Sequence, residues 1–593
     1  MQRKWSVLSD PPASFLEEFP NLPPIVTRLL YHRNLRNQEQ IDEFLNPDYG
    51  ADVHDPFLFQ DMSKAVERIF AALERQERIV IHGDYDADGV SAAVILSSLF
   101  RALDYREFDV FLPHRETDGY GLNKNTVQKL AEGNTKLIIT CDCGISNCEE
   151  VALANTLGMD VIITDHHTTP AELPPAYAII HPKVPGEPYP DKTLAGGGVA
   201  FKLMQAVLHR HHETHERLPN EETYASFEKW QLDMAAIASV ADMVPLLGES
   251  RTLTKYGLIV LNKTKRIGLQ KLLLEARLMQ EDGSMKKTIT ADTIGFQIAP
   301  RINAAGRMNH ASVAYRLLAT EDPLEAVDLA YELDQNNQER QKLTEELFTS
   351  ACAQIEAGPE DLPILFVVGK SWPTGILGLI SGKLKEKYQK PSLVINENSD
   401  TLEMSGSGRS VAGFNIIVAL QELKEYFVKF GGHPMACGFT LTAASRLEDF
   451  KEALIKKYRD QTAGLDLTPT LDIDAEVDLD DITWELYDIL DKFAPFGQNN
   501  PKPKYLARNL TVTQLEPVGQ AGKHLRLMVK HKSPKIRKTI GWNLCNVNGN
   551  GTNWCKTLKI GDAIDLVFEV EVNEWNGNRE LQLTIVDLKK SEI

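Results

Sequence analysis

The sequence predicts an α/β protein of several domains: a domain with a parallel sheet, a long helical connector, a smaller α/β domain and a C-terminal β-barrel. Three observations support this prediction. Short β-branched apolar runs alternate with helical patterns in the first third of the chain. A long, charged helical pattern separates them from a second alternating region, and short alternating strands follow near the C-terminal end. The first pattern is typical of a parallel sheet that is buried on both faces.

Five apolar runs predict the strands of the first sheet. The chain has 593 residues, of which 43% are hydrophobic and 25% charged, so it is long enough for several buried cores. In a parallel sheet the ligand site lies at the carboxyl ends of the strands, so informative residues should follow each run. The runs are RIVIHG (78–83), FDVFLP (108–113), KLIIT (136–140), MDVIIT (159–164) and YAIIHP (177–182).

The later elements predict the rest of the architecture. A charged helical pattern from Pro323 to Glu356 connects two halves. The second α/β region contains PILFVVG, SLVI, SGSGRS and GGHPMACGF, and the acidic segment at 471–481 is expected to be a solvated face. Short strands such as LRLMV and LVFEVEVNEW then indicate a small barrel. The predicted domains are an N-terminal region at 1–65, a catalytic domain at 66–255, a helical connector region at 256–357, a second α/β domain at 358–465 and a barrel at 466–593.

Composition argues against two classes of protein. Seven unevenly spaced cysteines, with no charged and apolar leader, argue against a secreted disulfide scaffold. No run of about 18 apolar residues is present, so a membrane span is not expected. We therefore expect a cytoplasmic protein.

Charge is unevenly distributed along the chain. The formal net charge of −19 disfavours a nucleic-acid partner, because phosphate binding relies on Lys and Arg. Between Glu516 and Asp562, however, there is no acidic residue. Basic and aromatic side chains alternate there, which suits a single strand of nucleic acid, although a solvated basic hairpin explains this stretch equally well. The residues are Lys523, His524, Arg526, Lys530, Lys532, Lys535, Arg537, Lys538, Trp542, Trp554, Lys556 and Lys559.

Carboxylates and imidazoles follow three of the predicted strands. DYDAD follows the first run, CDCG the third and DHH the fourth. Each has a simpler explanation alone: a helix cap for the first, buried thiols or a soft metal for the second, and a cap with surface histidines for the third. Together they predict a pair of divalent cations, which offset the repulsion and can clamp a phosphoryl group while activating water. Mixed Asp and His ligands favour Mn²⁺, and Mg²⁺ is also compatible.

These motifs resemble those of the DHH phosphoesterase superfamily. HGDYDADG, CDCG and TDHH match its first three motifs in order and spacing, and SVADMVPL (239–246) matches the fourth. GGHPMACGF resembles the glycine-rich core of the associated DHHA1 domain, and the barrel resembles an OB-fold. With APRINAAGRMNHA (299–311), the resemblance covers nearly the whole chain and extends to the bacterial single-strand-specific 5′ to 3′ exonucleases of this superfamily.

The resemblance implies a ligand set for two metal ions. His167 would donate a hydrogen bond to the scissile phosphate, with a histidine bonded to a backbone carbonyl as the alternative, and Asp84 would lie outside the metal ligands. The implied ligands are His82 and Asp86 for one ion, Asp88, His166 and Asp242 for the other, and Asp142 as the bridge between them.

The resemblance also implies residues that hold the substrate. A structural salt bridge is the alternative role for Arg301 and for Arg307. A tight turn is the alternative for the motif that contains Gly432 and His433, and a core position is the alternative for Trp575. The implied contacts are Arg301, Asn303 and Arg307 for phosphate, with Gly306 allowing close backbone approach; Arg115, Ser407 and Arg409 for the terminal 5′-phosphate; Gly432 and His433 for substrate; and Lys523, His524, Arg526 and Trp575 in the barrel.

The implied reaction is hydrolysis of the phosphodiester nearest a 5′ end of single-stranded DNA, releasing 5′-mononucleotides in DNA repair and recombination. Single-strand-binding protein or a helicase are implied partners, and we expect a monomer. One alternative is a phosphoesterase for short oligonucleotides or cyclic dinucleotides, which the additional barrel disfavours. A non-catalytic replication scaffold is the other, and the presence of every expected ligand type argues against it.

Overall fold

The structure is a computed structural model. It describes residues 3–115, 117–359, 361–399, 401–546, 552–575 and 578–591. The side chain of Trp575 lies outside the described part of the chain. No helix among the described residues is long and apolar enough to cross a membrane. Cys545 and Cys555 are bonded to each other, and the other five cysteines are free thiols.

The N-terminal segment packs on the C-terminal barrel. Its elements are β1 (Lys4–Val7), α1 (Ala13–Glu18), α2 (Pro24–His32) and α3 (Gln38–Leu45). Strand β1 pairs in parallel with residues Thr470–Ile473 near the C-terminal end. Phe15 and Leu29 share one hydrophobic core with Tyr505 and Phe568 of the barrel. The two ends of the chain therefore bury their apolar side chains together.

The first sheet is parallel throughout, as the apolar runs predict. Its strands are β2 (Arg78–Gly83), β3 (Phe108–Phe111), β4 (Thr135–Cys141), β5 (Asp160–Thr164) and β6 (Ala178–Ile180), in the order β3-β2-β4-β5-β6. The helices around it are α4 (Met62–Glu74), α5 (Ala87–Ala102), α6 (Lys124–Glu132), α7 (Cys148–Thr156), α8 (Gly196–His212), α9 (Tyr224–Trp230), α10 (Leu232–Ala241), α11 (Gly248–Leu261) and α12 (Ile267–Glu275).

Helices α5, α8 and α10 pack against one another beside this sheet. Helix α5 is buried except at Ser98 and Arg101, and α8 is buried from Gly196 to Leu208, so both are interior helices over most of their length. Helix α10 ends at Ala241, so Asp242 emerges from a buried helix at the edge of the sheet. The packing of these three helices thus fixes the position of an acidic residue.

The connector leads to the second α/β domain. Helix α16 begins at Pro323, where the Asp322 side chain accepts a hydrogen bond from the Leu324 amide, and ends before Gly358. It packs against α12, α14, α15 and α17, so it spans both halves. The connector contains α13 (Ala291–Thr293), a π-helical turn (Ile294–Ile298), α14 (Ala299–Met308), α15 (Ser312–Ala319) and α16 (Pro323–Ala357), and α17 (Thr374–Tyr388) belongs to the next domain.

The second domain is a five-stranded mixed sheet. Its strands are β7 (Leu365–Lys370), β8 (Ser392–Glu397), β9 (Met404–Arg409), β10 (Phe427–His433) and β11 (Ala436–Leu441), in the order β10-β11-β9-β8-β7. Helices α18 (Ile416–Glu422) and α19 (Leu447–Thr462) complete it. Strand β9 contains the residues of the SGSGR motif, and β10 and β11 form the hairpin of the GGHPMACGF motif. The fold thus confirms a smaller α/β domain after the helical connector.

The C-terminal domain is a closed barrel. Strands β14, β15, β16, β18 and β17 follow one another, and pairing of β14 with β17 closes the ring, which confirms the predicted fold class. Its elements are β12 (Thr470–Ile473), β13 (Ala475–Glu476), α20 (Trp484–Asp491), β14 (Tyr505–Val518), β15 (His524–Lys530), β16 (Ile536–Gly541), α21 (Trp554–Thr557), β17 (Ala563–Trp575) and β18 (Asn578–Lys590).

The acidic segment at 471–481 is not merely a solvated face. It contains β12 and β13, and Leu471, Ile473, Ala475 and Val477 are buried. Apolar residues alternate with acidic ones along it, so one face enters the core while most of the charges point outward. The expectation drawn from its charge was wrong because it overlooked this alternation.

Candidate metal centre and substrate cleft

The register of the parallel sheet brings the charged motifs to one edge. Gly83 of β2 lies beside Cys141 of β4, and Cys141 lies beside Thr164 of β5. The residues that follow, Asp84, Asp142 and Asp165, therefore leave their strands at the same level. This edge is the carboxyl end of the sheet, where ligand sites form in folds of this kind.

The loop after β2 holds two carboxylates at the start of α5. Asp86 is the N-cap and accepts hydrogen bonds from the amides of Asp88 (2.9 Å) and Gly89 (3.1 Å). A helix cap, the simpler explanation of the DYDAD motif, is therefore correct for Asp86. It does not account for Asp84, which is buried and has one carboxylate oxygen with no hydrogen-bond partner.

The glycines at the start of α8 allow that helix to contact the motifs. The amides of Gly196 and Gly197 donate to the Asp88 carboxylate at 2.8 and 2.6 Å. A Cβ atom on Gly196 would lie 2.5 Å from Cβ of Asp142, and one on Gly197 would lie 2.5 Å from Cβ of Ala238. Sequence reasoning missed these residues, although the run of three glycines at 196–198 was an available signal.

Asp142 is held in an unfavourable backbone conformation. Its φ is +62°, in the left-handed region that is uncommon for a residue with a Cβ atom. Its amide donates to the Thr164 carbonyl (3.0 Å), and its own carbonyl accepts from the Tyr120 hydroxyl (3.1 Å). These contacts hold the buried Asp142 side chain between the other carboxylates.

The ligand atoms form three clusters, each with its atoms within 4.8 Å of one another. Asp142 belongs to two of them and so lies between the others. The clusters are Asp88, His166 and Asp242; Asp84, Asp86 and Asp142; and Asp142, His166 and His167. The first is the set that the resemblance implies for one ion. Around the other position the structure places Asp84 with Asp86, and none of these clusters of described residues includes His82.

Several buried polar atoms in this centre have no hydrogen-bond partner among the described residues. Such atoms are rare in folded proteins, and each costs about 1–3 kcal/mol. His166 Nε2 lies 3.2 Å from Asp142, 3.5 Å from Asp242 and 3.7 Å from Asp88, but makes no hydrogen bond. The unpartnered atoms are His82 Nε2, Asp84 Oδ1, Asp142 Oδ1, His166 Nδ1 and His166 Nε2.

The electrostatics of the centre fit bound cations. Burial, followed by repulsion from neighbouring carboxylates, raises the pKa of Asp84, Asp88 and Asp142 well above the usual range. Burial and then Asp86 raise the pKa of Asp242 to about 7, and burial lowers that of His166 to about 3. Divalent cations favour the deprotonated form of every such donor, so the donor set fits metal ions.

His167 has a different environment from His166. Its Nδ1 lies 2.8 Å from the Asp165 carboxylate, which also accepts from the amides of His166 and Ile145. Although burial acts to lower the pKa of His167, its bond to Asp165 raises it to about 9. The same bonds lower the pKa of Asp165 to about 2 against the effect of burial. The ring thus pairs with a carboxylate, a role of Asp165 that sequence reasoning missed.

Guanidinium groups lie close to the metal centre. Burial, and then repulsion from Arg115, Arg340 and Arg409, lower the pKa of Arg307 to about 10. Arg409 donates to Ser407 Oγ at 3.3 Å, and Arg115 lies 4.8 Å over the ring of Tyr85. Among the residues that the structure describes, no carboxylate forms an ion pair with Arg115, Arg307 or Arg409. This arrangement suits an anionic ligand.

Some residues of the predicted substrate site contact protein groups instead. Arg301 pairs with Asp334 at 2.9 Å, which is the salt-bridge alternative, and Asn303 accepts from the Ala87 amide at 2.8 Å. Gly306 allows close approach to Tyr85, because its Cβ would lie 2.5 Å from the Tyr85 carbonyl oxygen. Gly306 therefore allows the close approach of the protein's own backbone at Tyr85.

The GGH motif forms the tight hairpin turn that was its alternative explanation. Gly432 has a φ of +143°, and a Cβ there would lie 2.2 Å from the Ala436 carbonyl oxygen. His433 is exposed at the end of β10.

On α16, Asn336 Nδ2 and Arg340 Nε are buried without hydrogen-bond partners among the described residues, and sequence reasoning missed both. The polar run NNQER within a partly buried helix was their signal.

The predicted barrel contacts differ in exposure. Lys523 is exposed, whereas Arg526 pairs with Glu516 at 2.6 Å and His524 accepts from the Asn543 amide at 3.0 Å. The ring of Trp542 lies 4.9 Å from that of His524, and Trp542 is 56% exposed. Trp554 is a core residue. Trp542 is therefore the available aromatic surface, while the Trp575 side chain lies outside the described residues.

Fold and site together define a DHH-family phosphoesterase with an OB-type barrel. Residues 78–238 match the model of the DHH family N-terminal domain, 361–460 the DHHA1 domain and 473–587 the RecJ OB domain. The single-stranded-DNA-specific exonuclease RecJ of Bacillus subtilis is 36% identical over 97% of this chain and 69% of its own length. RecJ of Haemophilus influenzae is 30% identical over 95% of each chain. The chain therefore belongs to the RecJ family.

Solved structures agree with this assignment. The crystal structure of RecJ from Thermus thermophilus in complex with Mn²⁺ superposes with a TM-score of 0.81 at 26% identity, covering 100% of this chain and 80% of that one. A structure of the same protein with Mg²⁺ has a TM-score of 0.74 at 25% identity, covering 100% of this chain and 79% of that one. The family resemblance predicted from the motifs is thus confirmed.

Gly196→Ala should weaken binding of Mn²⁺ by about tenfold or more, because the new methyl group would displace Asp142 or the amides that hold Asp88. Calorimetric titration of the protein with Mn²⁺ measures this. Gly382→Ala is the matched control, since a Cβ at that position in α17 meets no atom within 4 Å. Equal Mn²⁺ affinity in all three proteins would contradict the role of the α8 glycines.

Proposed function

We propose that this protein is a metal-dependent exonuclease that degrades single-stranded DNA from its 5′ end and releases 5′-mononucleotides. The observation that carries the proposal is the set of three adjoining clusters of carboxylates and imidazoles, two of which share Asp142, close to guanidinium groups that form no ion pair with a carboxylate among the described residues. Relatives at 30–36% identity are named single-stranded-DNA-specific exonucleases, which supports the substrate class.

Two divalent ions would be held by the six residues that the family pattern implies, His82, Asp86, Asp88, Asp142, His166 and Asp242, with Asp84 close enough to contribute. When bound, such ions activate water and stabilise the charge of a phosphoryl group in transfer. The mixture of imidazole and carboxylate donors favours Mn²⁺ over Mg²⁺. These residues provide the negative charge and lone pairs that the ions require.

His167 would act directly on the scissile phosphate. The bond from Nδ1 to Asp165 favours the protonated imidazole, so the ring can donate a hydrogen bond to the charge that develops on phosphate oxygens. Asp165 holds the ring through Nδ1, and the Tyr120 hydroxyl lies 3.0 Å from the same nitrogen. The two partners restrict the orientation of the ring before substrate binds.

The arginine cluster, formed by Arg115, Arg307 and Arg409, would determine from which end the strand is degraded. Arg409 and Ser407 lie on β9, and Arg307 is fixed by a 2.8 Å hydrogen bond to the Gly375 carbonyl. A terminal 5′-phosphate carries more charge than an internal one and can accept bonds from several guanidinium groups at once. Binding of that phosphate would place the first internucleotide bond at the metal centre. The protein then cleaves one nucleotide at a time.

The barrel would bind the strand farther from its end. Trp542 offers a face on which a base can stack, and Lys523 offers a charge for phosphate. With a net charge of −19, the rest of the surface repels DNA and leaves the arginine cluster and the basic stretch of the barrel as the favoured path. The N-terminal segment would support this barrel through their shared core.

The wider setting follows from the family. We extend the proposal to DNA repair and recombination in the cytoplasm, to a monomeric enzyme and to association with single-strand-binding protein or a helicase. Activity on short oligonucleotides or cyclic dinucleotides is the second candidate, and the metal clusters favour it as much as the first. The barrel with its exposed Trp542 distinguishes the two, since short substrates do not need it.

The activity is tested with a long single strand labelled at either end, with Mn²⁺ present and with a metal-free control. A 5′ exonuclease releases labelled mononucleotide at once from the 5′-labelled strand and shortens the 3′-labelled strand gradually. Cleavage of dinucleotides but not of the long strand would instead support the second candidate. Absence of metal-dependent cleavage of either substrate would contradict both.

Arg409→Ala should remove the preference for a 5′-phosphate, with about a 10- to 100-fold loss of kcat/KM on the phosphorylated strand, equivalent to about 1.4–2.7 kcal/mol. A strand with a 5′-hydroxyl should be affected much less, because the lost contact is to the terminal phosphate. Arg446→Ala, in the same domain but packed over Tyr426, is the control. A similar loss on both substrates would show that Arg409 does not bind the terminal phosphate.

Trp542→Ala should weaken binding of a long single strand by about 1–3 kcal/mol, because one stacking surface is lost. Fluorescence anisotropy without metal measures this affinity. The variant Trp484→Ala removes another exposed tryptophan, one that packs with Arg579, and should leave the affinity unchanged. If the two variants bind DNA equally well, Trp542 is not part of the binding surface.

A further inference from the structure

The imidazole of His82 lies against a buried thiol. Cys143 Sγ is 3.8 Å from His82 Nδ1 and 3.6 Å from the His82 carbonyl oxygen. Both residues are completely buried, and the ring of Phe111 stacks on that of His82 with centroids 5.2 Å apart. The ring is therefore confined on two sides, with one nitrogen facing sulfur.

The contacts of the thiol define how its hydrogen is used. The S–H group has a single hydrogen, which it can donate either to the His82 carbonyl oxygen or to Nδ1. Only donation to the carbonyl oxygen makes hydrogen bonds of both contacts. The sulfur is then left with lone pairs toward His82 Nδ1, where it can accept an N–H hydrogen bond. This pairing puts the ring proton on Nδ1 and leaves Nε2 without one.

The opposite nitrogen is in the state that a metal ligand needs. His82 Nε2 is buried and makes no hydrogen bond to the protein. A histidine that binds a metal through one nitrogen usually donates the other N–H to a fixed partner, which sets the tautomer and the ring orientation. A carboxylate or carbonyl is the common partner. Here the Cys143 thiol lies at that position, and the carbonyl oxygen of His82 itself is the competing acceptor.

We propose that Cys143 is a positioning residue that accepts the Nδ1–H of His82 and so holds the Nε2 lone pair ready for a divalent ion. This inference rests on the proposed function, because it requires His82 to be a ligand. Two residues of the CDCG motif then have different roles: Asp142 contributes a ligand atom, and Cys143 orients a ligand on the neighbouring strand. Cys141 instead belongs to the hydrophobic core.

The test compares Mn²⁺ binding by calorimetry in the wild type and in Cys143→Ala, Cys143→Ser and His82→Ala. Cys143→Ala should bind Mn²⁺ about 10- to 100-fold more weakly, the usual effect of losing such a partner. Cys143→Ser should recover most of the affinity, since a hydroxyl can accept the same hydrogen bond. Cys148→Ser, at a partly exposed thiol that donates to the Glu172 carbonyl, is the matched control and should resemble the wild type.

The outcomes separate this inference from the proposed function. Normal affinity in His82→Ala would overturn the role of His82 as a ligand, and the inference with it. Weak binding in His82→Ala with normal binding in Cys143→Ala would overturn only the role of Cys143. Equal losses in the Ala and Ser variants would also overturn it, because a hydrogen bond would not be what matters.

A second measurement reads the tautomer without metal or activity. Nitrogen NMR of ¹⁵N-histidine protein in EDTA should show His82 protonated at Nδ1, with the signal assigned by its loss in His82→Ala. Protonation at Nε2 in the wild type would overturn the inference, even if Cys143→Ala failed to fold. In folded Cys143→Ala protein, the signal should change toward a mixture of tautomers.

Discussion

The architecture of this protein depends on one constraint: carboxylates are buried close together with too few protein partners to neutralise them. Asp84, Asp88 and Asp142 are each at most 4% exposed. Unpaired charges buried at this density are costly, so these carboxyl groups take up protons unless cations neutralise them. The sheet register, the left-handed Asp142 and the glycines that open α8 all bring these groups together.

The site offers two ways of binding phosphate. At the edge of the first sheet, carboxylates and imidazoles would contact phosphate through metal ions. Close to them, guanidinium groups from the first domain, the connector and the second domain would bind it directly. Arg307 on α14 and Arg409 on β9 come from different domains, so the spacing between the two anion sites depends on how α16 joins them. That spacing would determine how far the cleaved bond lies from the 5′ end.

The sequence predicted the strands and the motif positions well because both are local signals. Apolar runs identify β2 to β6, and carboxylates follow three of those strands. The contacts of Gly196 and Tyr120 could not be predicted, since each depends on an approach between segments far apart in sequence. The bond between Asp165 and His167 is local, but the sequence does not show how the two side chains are oriented. Arg301 shows the same limit. Its motif predicts a phosphate contact, and its ion pair with Asp334, on another helix, is what the structure adds.

The central claim is that cations offset the repulsion among buried carboxylates, and thermal unfolding of the wild type and Asp142→Asn, each in EDTA and in Mn²⁺, tests it most directly. Mn²⁺ at about 100 times its Kd should stabilise the wild type by about 2.7 kcal/mol and raise its Tm. In EDTA, Asp142→Asn should be at least as stable as the wild type, because a buried charge is removed, and it should gain little from Mn²⁺. A variant that is destabilised in EDTA yet keeps the full Mn²⁺ shift would contradict the account.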